Sequence, residues 1–203
     1  MAALMIQIPQ ETARVLHELP VPGDPERHDP HITVIYLGKD VPLERISKML
    51  PVIFSVTSKT PPFSVSTNHV SCFPAGDDGV PIIAKIVSPA LHRLRENLIA
   101  ALEDNDLEYD KKFPEYKPHT TLAYSSDPKT TVDIDIPELT WGAHELVLWG
   151  SNRGTGRLVI KFPLSLPQGK VAGPYAEAAA QAVTTYHRAT VQLAAWGKKD
   201  CFV

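Results

Sequence analysis

The chain of 203 residues is poor in cysteine, has no excess of positive charge and carries no long apolar run. Its two cysteines, Cys72 and Cys201, match no metal-binding or redox spacing. Free thiols in a reducing, cytoplasmic setting are therefore expected. Lys and Arg together number 20 against 23 Asp and Glu, for a net charge of -3. Such a chain has no global basic surface for duplex DNA, so an anionic substrate must be held by a local pocket. The apolar start, residues 1–8, is short and lacks a basic flank, which argues against a signal peptide. No later stretch is long enough to cross a membrane. What the chain does have is 43% hydrophobic residues and 19 prolines. The first suits one domain with a real core. The second are spread as punctuation between elements rather than gathered in a tract.

Residues 4–8 are β-prone and close at Pro9. Residues 11–19 put Ala13, Leu16 and Val15 toward one helical face. Residues 20–30 are polar and turn-rich and read as a surface loop. Residues 31–37 are β-branched and aromatic, with Gly38 as terminator. Leu43, Ile46, Met49, Leu50 and Ile53 then recur at helical spacing. Residues 61–73 and 80–87 form a hairpin across the turn at 75–79. Ser88 can cap a helix with Pro89 at its first position and an apolar stripe of Leu91, Leu94, Leu98, Ala101 and Leu102. Strands are expected at 119–124, 131–136, 145–149 and 157–162. Together these make an α+β domain over residues 1–167. Residues 168–203 read as a linker and an amphipathic C-terminal helix, with Ala179, Ala182, Tyr186, Ala189, Leu193 and Trp196 on one stripe. That helix can dock on its own domain or support self-association.

Two stretches repeat: Pro30-His31-Ile32-Thr33-Val34 and Pro118-His119-Thr120-Thr121-Leu122, each with a Tyr five places after the His, Tyr36 and Tyr124. A lone His-x-Thr is expected by chance in about half of chains of this composition. Adding the preceding Pro and following aliphatic lowers that to about one in a hundred, so two copies carry weight. On a strand, residues i and i+2 share a face. His31 therefore points with Thr33, and His119 with Thr121. The same alternation sends Tyr36 and Tyr124 to the opposite, packing face. Two imidazoles and two hydroxyls converging on one cleft suit phosphodiester chemistry. One neutral His takes a proton from the attacking oxygen, and the other, protonated, gives one to the leaving oxygen. The Thr hydroxyls can hold nonbridging oxygens, and the scheme requires no metal.

Paired motifs of this kind resemble the 2H phosphoesterase superfamily. The group includes LigT-like RNA 2',5'-ligases, cyclic nucleotide phosphodiesterases and phage anti-CBASS enzymes that cleave cyclic oligonucleotide signals. The resemblance covers residues 1–167. It implies a bilobal fold of two pseudo-symmetric halves, with antiparallel sheets around a central cleft. It implies His31, Thr33, His119 and Thr121 as the catalytic set, with no metal and no cofactor. It also implies an RNA-type substrate: a 2',3'-cyclic phosphate, a 2',5'-linked oligonucleotide or a cyclic oligonucleotide.

Four further residues are candidates for substrate binding. Lys117 lies two places before His119, where the first copy has Asp29, and could hold phosphate. Tyr116, with Phe113, precedes the second motif and could line the cleft mouth. Trp149 ends a strand beside a Gly-rich turn, and Arg153 lies within that turn. The remaining histidines, His17, His28, His69, His92, His144 and His187, have no partner at useful spacing. The competing functional reading is a non-catalytic nucleotide-binding module that joins an assembly through its C-terminal helix.

Overall fold

The computed structural model describes residues 1–26, 29–112, 115–152 and 156–164. The Pro167 boundary and the C-terminal helix lie outside these residues, as do His28, Phe113 and Arg153. In chain order the elements are β1 (Ala2–Gln7), α1 (Gln10–His17), β2 (Asp24–Pro25), β3 (His31–Gly38), α2 (Leu43–Thr57), β4 (Phe63–Cys72), β5 (Val80–Lys85), α3 (Pro89–Asp104), β6 (His119–Ser125), β7 (Asp133–Ala143), β8 (Glu145–Asn152) and β9 (Gly156–Pro163). They build two sheets, ordered β3-β1-β8-β9 and β2-β6-β5-β4-β7. Every pairing is antiparallel. The fold is the α+β, two-sheet architecture expected from the paired motifs.

The lobes are not successive halves of the chain. The first sheet joins strands from both ends of the described chain, because β1 pairs with β3 on one side and β8 on the other. The second sheet is built from the middle, with β2 added at its edge. One core unites them. Leu4, Ile6 and Ile32 of the first sheet share a cluster with Val65, Val70 and Ile82 of the second, and with Met49 and Ile53 of α2. Helices α2 and α3 pack on each other, and α3 lies against β3 and β4.

Local sequence explains most boundaries. Ser88 caps α3 as expected: its hydroxyl accepts from the Leu91 amide at 3.4 Å and donates to the Ser64 carbonyl at 2.8 Å. Leu91, Leu94, Leu98 and Leu102 are fully buried along the helix. Val15 is a correction. It stays 40% exposed, and Ala13 and Leu16 alone turn inward from α1. The strand expected at 131–136 is also longer, running as β7 through Pro137 to Ala143. It can do so because β7 is an edge strand, where a missing N–H leaves no ladder bond unmade.

The expected surface loop at 20–30 is partly a strand. Asp24 pairs with Tyr124 and Pro25 with Ala123, and the Glu26 amide reaches the Leu122 carbonyl at 2.9 Å. Gly23 permits this approach. Its φ is +99°, and a Cβ there would sit 2.4 Å from the Tyr124 carbonyl oxygen.

Ser88 is almost fully buried, so its hydroxyl serves two groups that have little access to water. Ser88→Ala is expected to lower unfolding free energy by about 1–2 kcal/mol, measured by chemical denaturation.

Candidate active site

Each motif strand carries one residue more than its partner at the same place. In β3, Ile35 pairs with Leu4 and Thr33 with Met5, leaving Val34 as the extra residue. In β6, Ala123 pairs with Ile82 and Thr121 with Ile83, leaving Leu122. These are matched β-bulges three residues after each His. Burial records the same event twice. From His31 and from His119, the order is half-buried, buried, half-buried, buried, buried, half-buried, buried.

The first three positions obey simple alternation. Ile32 and Thr120 are buried, while His31, Thr33, His119 and Thr121 turn the other way and keep partial exposure. Beyond the bulge the parity reverses. Tyr36 and Tyr124 therefore lie on the His/Thr face, not on the packing face that alternation predicts. Tyr36 is opposite Ala3, and Thr33 is opposite Met5. Tyr124 stands near enough to Thr121 for the two side chains to hydrogen-bond.

The two motif strands approach each other across the sheets, and the charge of His31 is felt at His119. Their imidazoles are held alike. His31 Nδ1 lies 2.8 Å from the Asp29 carbonyl oxygen, and His119 Nδ1 lies 2.7 Å from that of Lys117. A carbonyl can only accept, so each Nδ1 carries the proton, and each Nε2 is left to act as base when neutral or acid when charged. The side chains of Asp29 and Lys117 differ, but their carbonyls do the same work.

The environments of the two rings differ. The Phe73 ring meets the His119 ring edge-on at 4.7 Å between centroids. Burial pushes the His119 pKa down, and the nearby His31 pushes the same way, against the opposing effect of the bond to the Lys117 carbonyl. His119 is thus biased toward the neutral form.

The substrate-binding candidates fall in different places. The Tyr116 hydroxyl donates to the Thr33 carbonyl at 3.2 Å. Its ring lies under the Arg95 guanidinium at 4.8 Å and meets His92 edge-on at 5.2 Å. Burial drives its pKa strongly upward, so the phenol remains a donor. Tyr116 therefore ties the approach to the second motif onto the strand of the first. Trp149 is opposite Ala3 in β8. Together with Tyr36 it packs around Ala3, Met5 and Val147 on the His/Thr face of the first sheet. Lys117 Nζ pairs with Glu115 at 3.0 Å, and both side chains are exposed. Motif reading also missed Phe73, whose contact with His119 depends on the pairing of β4 with β5 and of β5 with β6.

A model of the 2'-5' RNA ligase superfamily matches residues 8–155, well over half of the chain. The chain belongs to the 2'-5' RNA ligase superfamily. This is the 2H phosphoesterase group that the motifs resemble, and the match spans both of them. Anti-CBASS protein Acb1 of Vibrio phage KVP40 is 29% identical over 115 residues, which are 57% of this chain and 60% of that protein. Among solved structures of the fold, TT0787 of Thermus thermophilus has a TM-score of 0.66 at 22% identity, covering 82% of this chain and 99% of that one. E. coli LigT complexed with 3'-AMP has a TM-score of 0.62 at 17% identity, covering 81% and 98%. Superfamily members share the two-sheet frame, and the side chains described above are this chain's own.

Because folding lowers the His119 pKa, its ring should titrate below the ordinary value of about 6.5 in histidine-resolved NMR. The unfolded chain then binds more protons than the native state between the two values. This group's contribution to stability is therefore complete above about pH 6.5 and is lost as pH falls below it.

Proposed function

We propose that this protein is a phosphodiesterase that cleaves an RNA-type phosphodiester, with His119 as general base and His31 as general acid. The observation that carries this reading is the matched anchoring of the two imidazoles. Both Nδ1 atoms are occupied by backbone carbonyls, and both Nε2 atoms remain for substrate. Two acid/base groups with the same anchoring suit proton transfer at both ends of one displacement.

With a 2',3'-cyclic phosphate, His119 Nε2 takes a proton from water as its oxygen attacks phosphorus. The bond to one ribose oxygen breaks, and His31 Nε2 gives that oxygen a proton. With an oligonucleotide, a neighbouring ribose hydroxyl takes the place of water, and a cyclic phosphate forms as the next ribose leaves. Thr33 and Thr121 hydrogen-bond the nonbridging oxygens, where negative charge builds. The assignment of base and acid follows the electrostatics: the buried His119 favours the neutral form a base needs. Similarity to an anti-CBASS protein puts cyclic oligonucleotides among the substrates to try, and a LigT structure complexed with 3'-AMP supports a nucleotide in a cleft of this kind.

The test is a panel of 2',3'-cyclic mononucleotides, 2',5'-oligoadenylates and cyclic oligonucleotides, each assayed in EDTA. His31→Ala and His119→Ala should each lower turnover by about 10²–10⁴-fold while their melting curves stay native. Full activity in either folded variant would sink the mechanism. In the wild type, the acid limb of kcat/KM against pH should have its midpoint below about 6.5, following His119.

A further inference from the structure

Sheet register places a second set of polar groups beside His119 that neither motif includes. Lys85 of β5 is directly opposite His119 of β6. Opposed residues on an antiparallel pair project to the same face. Lys85 therefore stands on the floor that carries His119, and its side chain is exposed. One strand further, Val70 of β4 is opposite Ala84, and both are buried on the far side. His69, one residue earlier, turns back to the His119 face.

The carboxylates of this floor gather around His69. Its Nδ1 lies 2.8 Å from Asp135 Oδ1, within a hydrogen bond. Its Nε2 is equally close to Asp133 Oδ1, but off the line a hydrogen bond needs. Lys85 makes none of the ion pairs among the described residues, whereas Lys117, the other lysine flanking His119, is engaged by Glu115. An exposed lysine is ordinarily just a solvated cation. This one is set in register with a histidine of the cleft, and the nearby aspartates are turned to another partner.

We propose that Lys85 binds a second, non-reacting phosphate of the substrate. The idea rests on the phosphodiesterase reading and narrows it. Strands lie about 4.8 Å apart, so Lys85 is rooted one strand away from the histidine that handles the reacting phosphate, and its flexible four-carbon stem lets the ammonium meet a neighbouring anion. The substrate class is then a nucleotide chain with at least two phosphodiester groups, linear or cyclic, in preference to a 2',3'-cyclic mononucleotide.

A chemical double-mutant cycle tests this. Wild type and Lys85→Gln are assayed on an oligonucleotide whose neighbouring linkage is either a phosphate or a neutral methylphosphonate, and on a 2',3'-cyclic mononucleotide. Neutralising the second linkage should cost the wild type roughly 10-fold in kcat/KM and cost Lys85→Gln nothing, with mononucleotide turnover unchanged by the substitution. Equal losses on all three substrates would assign Lys85 to the reacting phosphate and overturn the proposal. No loss on any of them would overturn it too. Affinity for the two fluorescent oligonucleotides is measured in parallel by anisotropy on His119→Ala with and without Lys85→Gln. If the wild type cleaves nothing yet binding keeps the Lys85-dependent preference for the charged linkage, the phosphodiesterase reading fails and the second-phosphate site stands. Cleavage without that preference removes the second-phosphate site and leaves the phosphodiesterase standing.

Discussion

One extra residue at the same place in each motif strand governs which side chains the His/Thr face carries. Val34 and Leu122 break the two-residue period three places after His31 and His119. Without these bulges, the strands would offer a His and a Thr and turn the following tyrosines into the core. With them, two successive aliphatic residues face inward, Val34 with Ile35 and Leu122 with Ala123, and all four are buried. The burial of that aliphatic pair holds each bulge in place. Each motif thus delivers three polar side chains to one face: His, Thr and Tyr.

The motif strands are also held by each other's approaches. The segment before the first motif adds β2 to the edge of β6, and Gly23 allows the close contact. The segment before the second motif sends the Tyr116 hydroxyl to the Thr33 carbonyl. The exchange is reciprocal in position but not in kind, being a backbone ladder in one direction and a single phenol in the other. Together with the shared core, it fixes the separation of two groups that belong to different sheets. The proposed proton transfer at both ends of one phosphate depends on that separation.

The electrostatics break the symmetry of the repeat. Both imidazoles donate to a carbonyl two residues back, so their tautomers are the same. Burial and the nearby His31 lower the pKa of His119, and the Phe73 ring packs edge-on against it. At the repeat's mismatch, Asp29 against Lys117, the contact with each histidine is made by the backbone and not by the side chain. The Lys117 side chain is engaged by Glu115.

Sequence alone determined the parts that depend on neighbours within one segment. These were the α+β order of elements, the Ser88 cap and apolar stripe of α3, and the shared facing of His31 with Thr33 and of His119 with Thr121. Each follows from a local period of 2 or 3.6 or from a local hydrogen bond. Tertiary structure decided everything that depends on register between strands. A bulge is defined only against a partner strand, so alternation read along one strand misplaced Tyr36 and Tyr124. For the same reason, neither Lys85 nor Phe73 could be tied to His119, nor His69 to Asp133 and Asp135, from spacing within the chain. Asp24 and Pro25 of the expected loop became a strand because β6 had an open edge for them. These are pairings between residues distant in sequence, and the partner's position is set by packing of the whole core rather than by any local pattern.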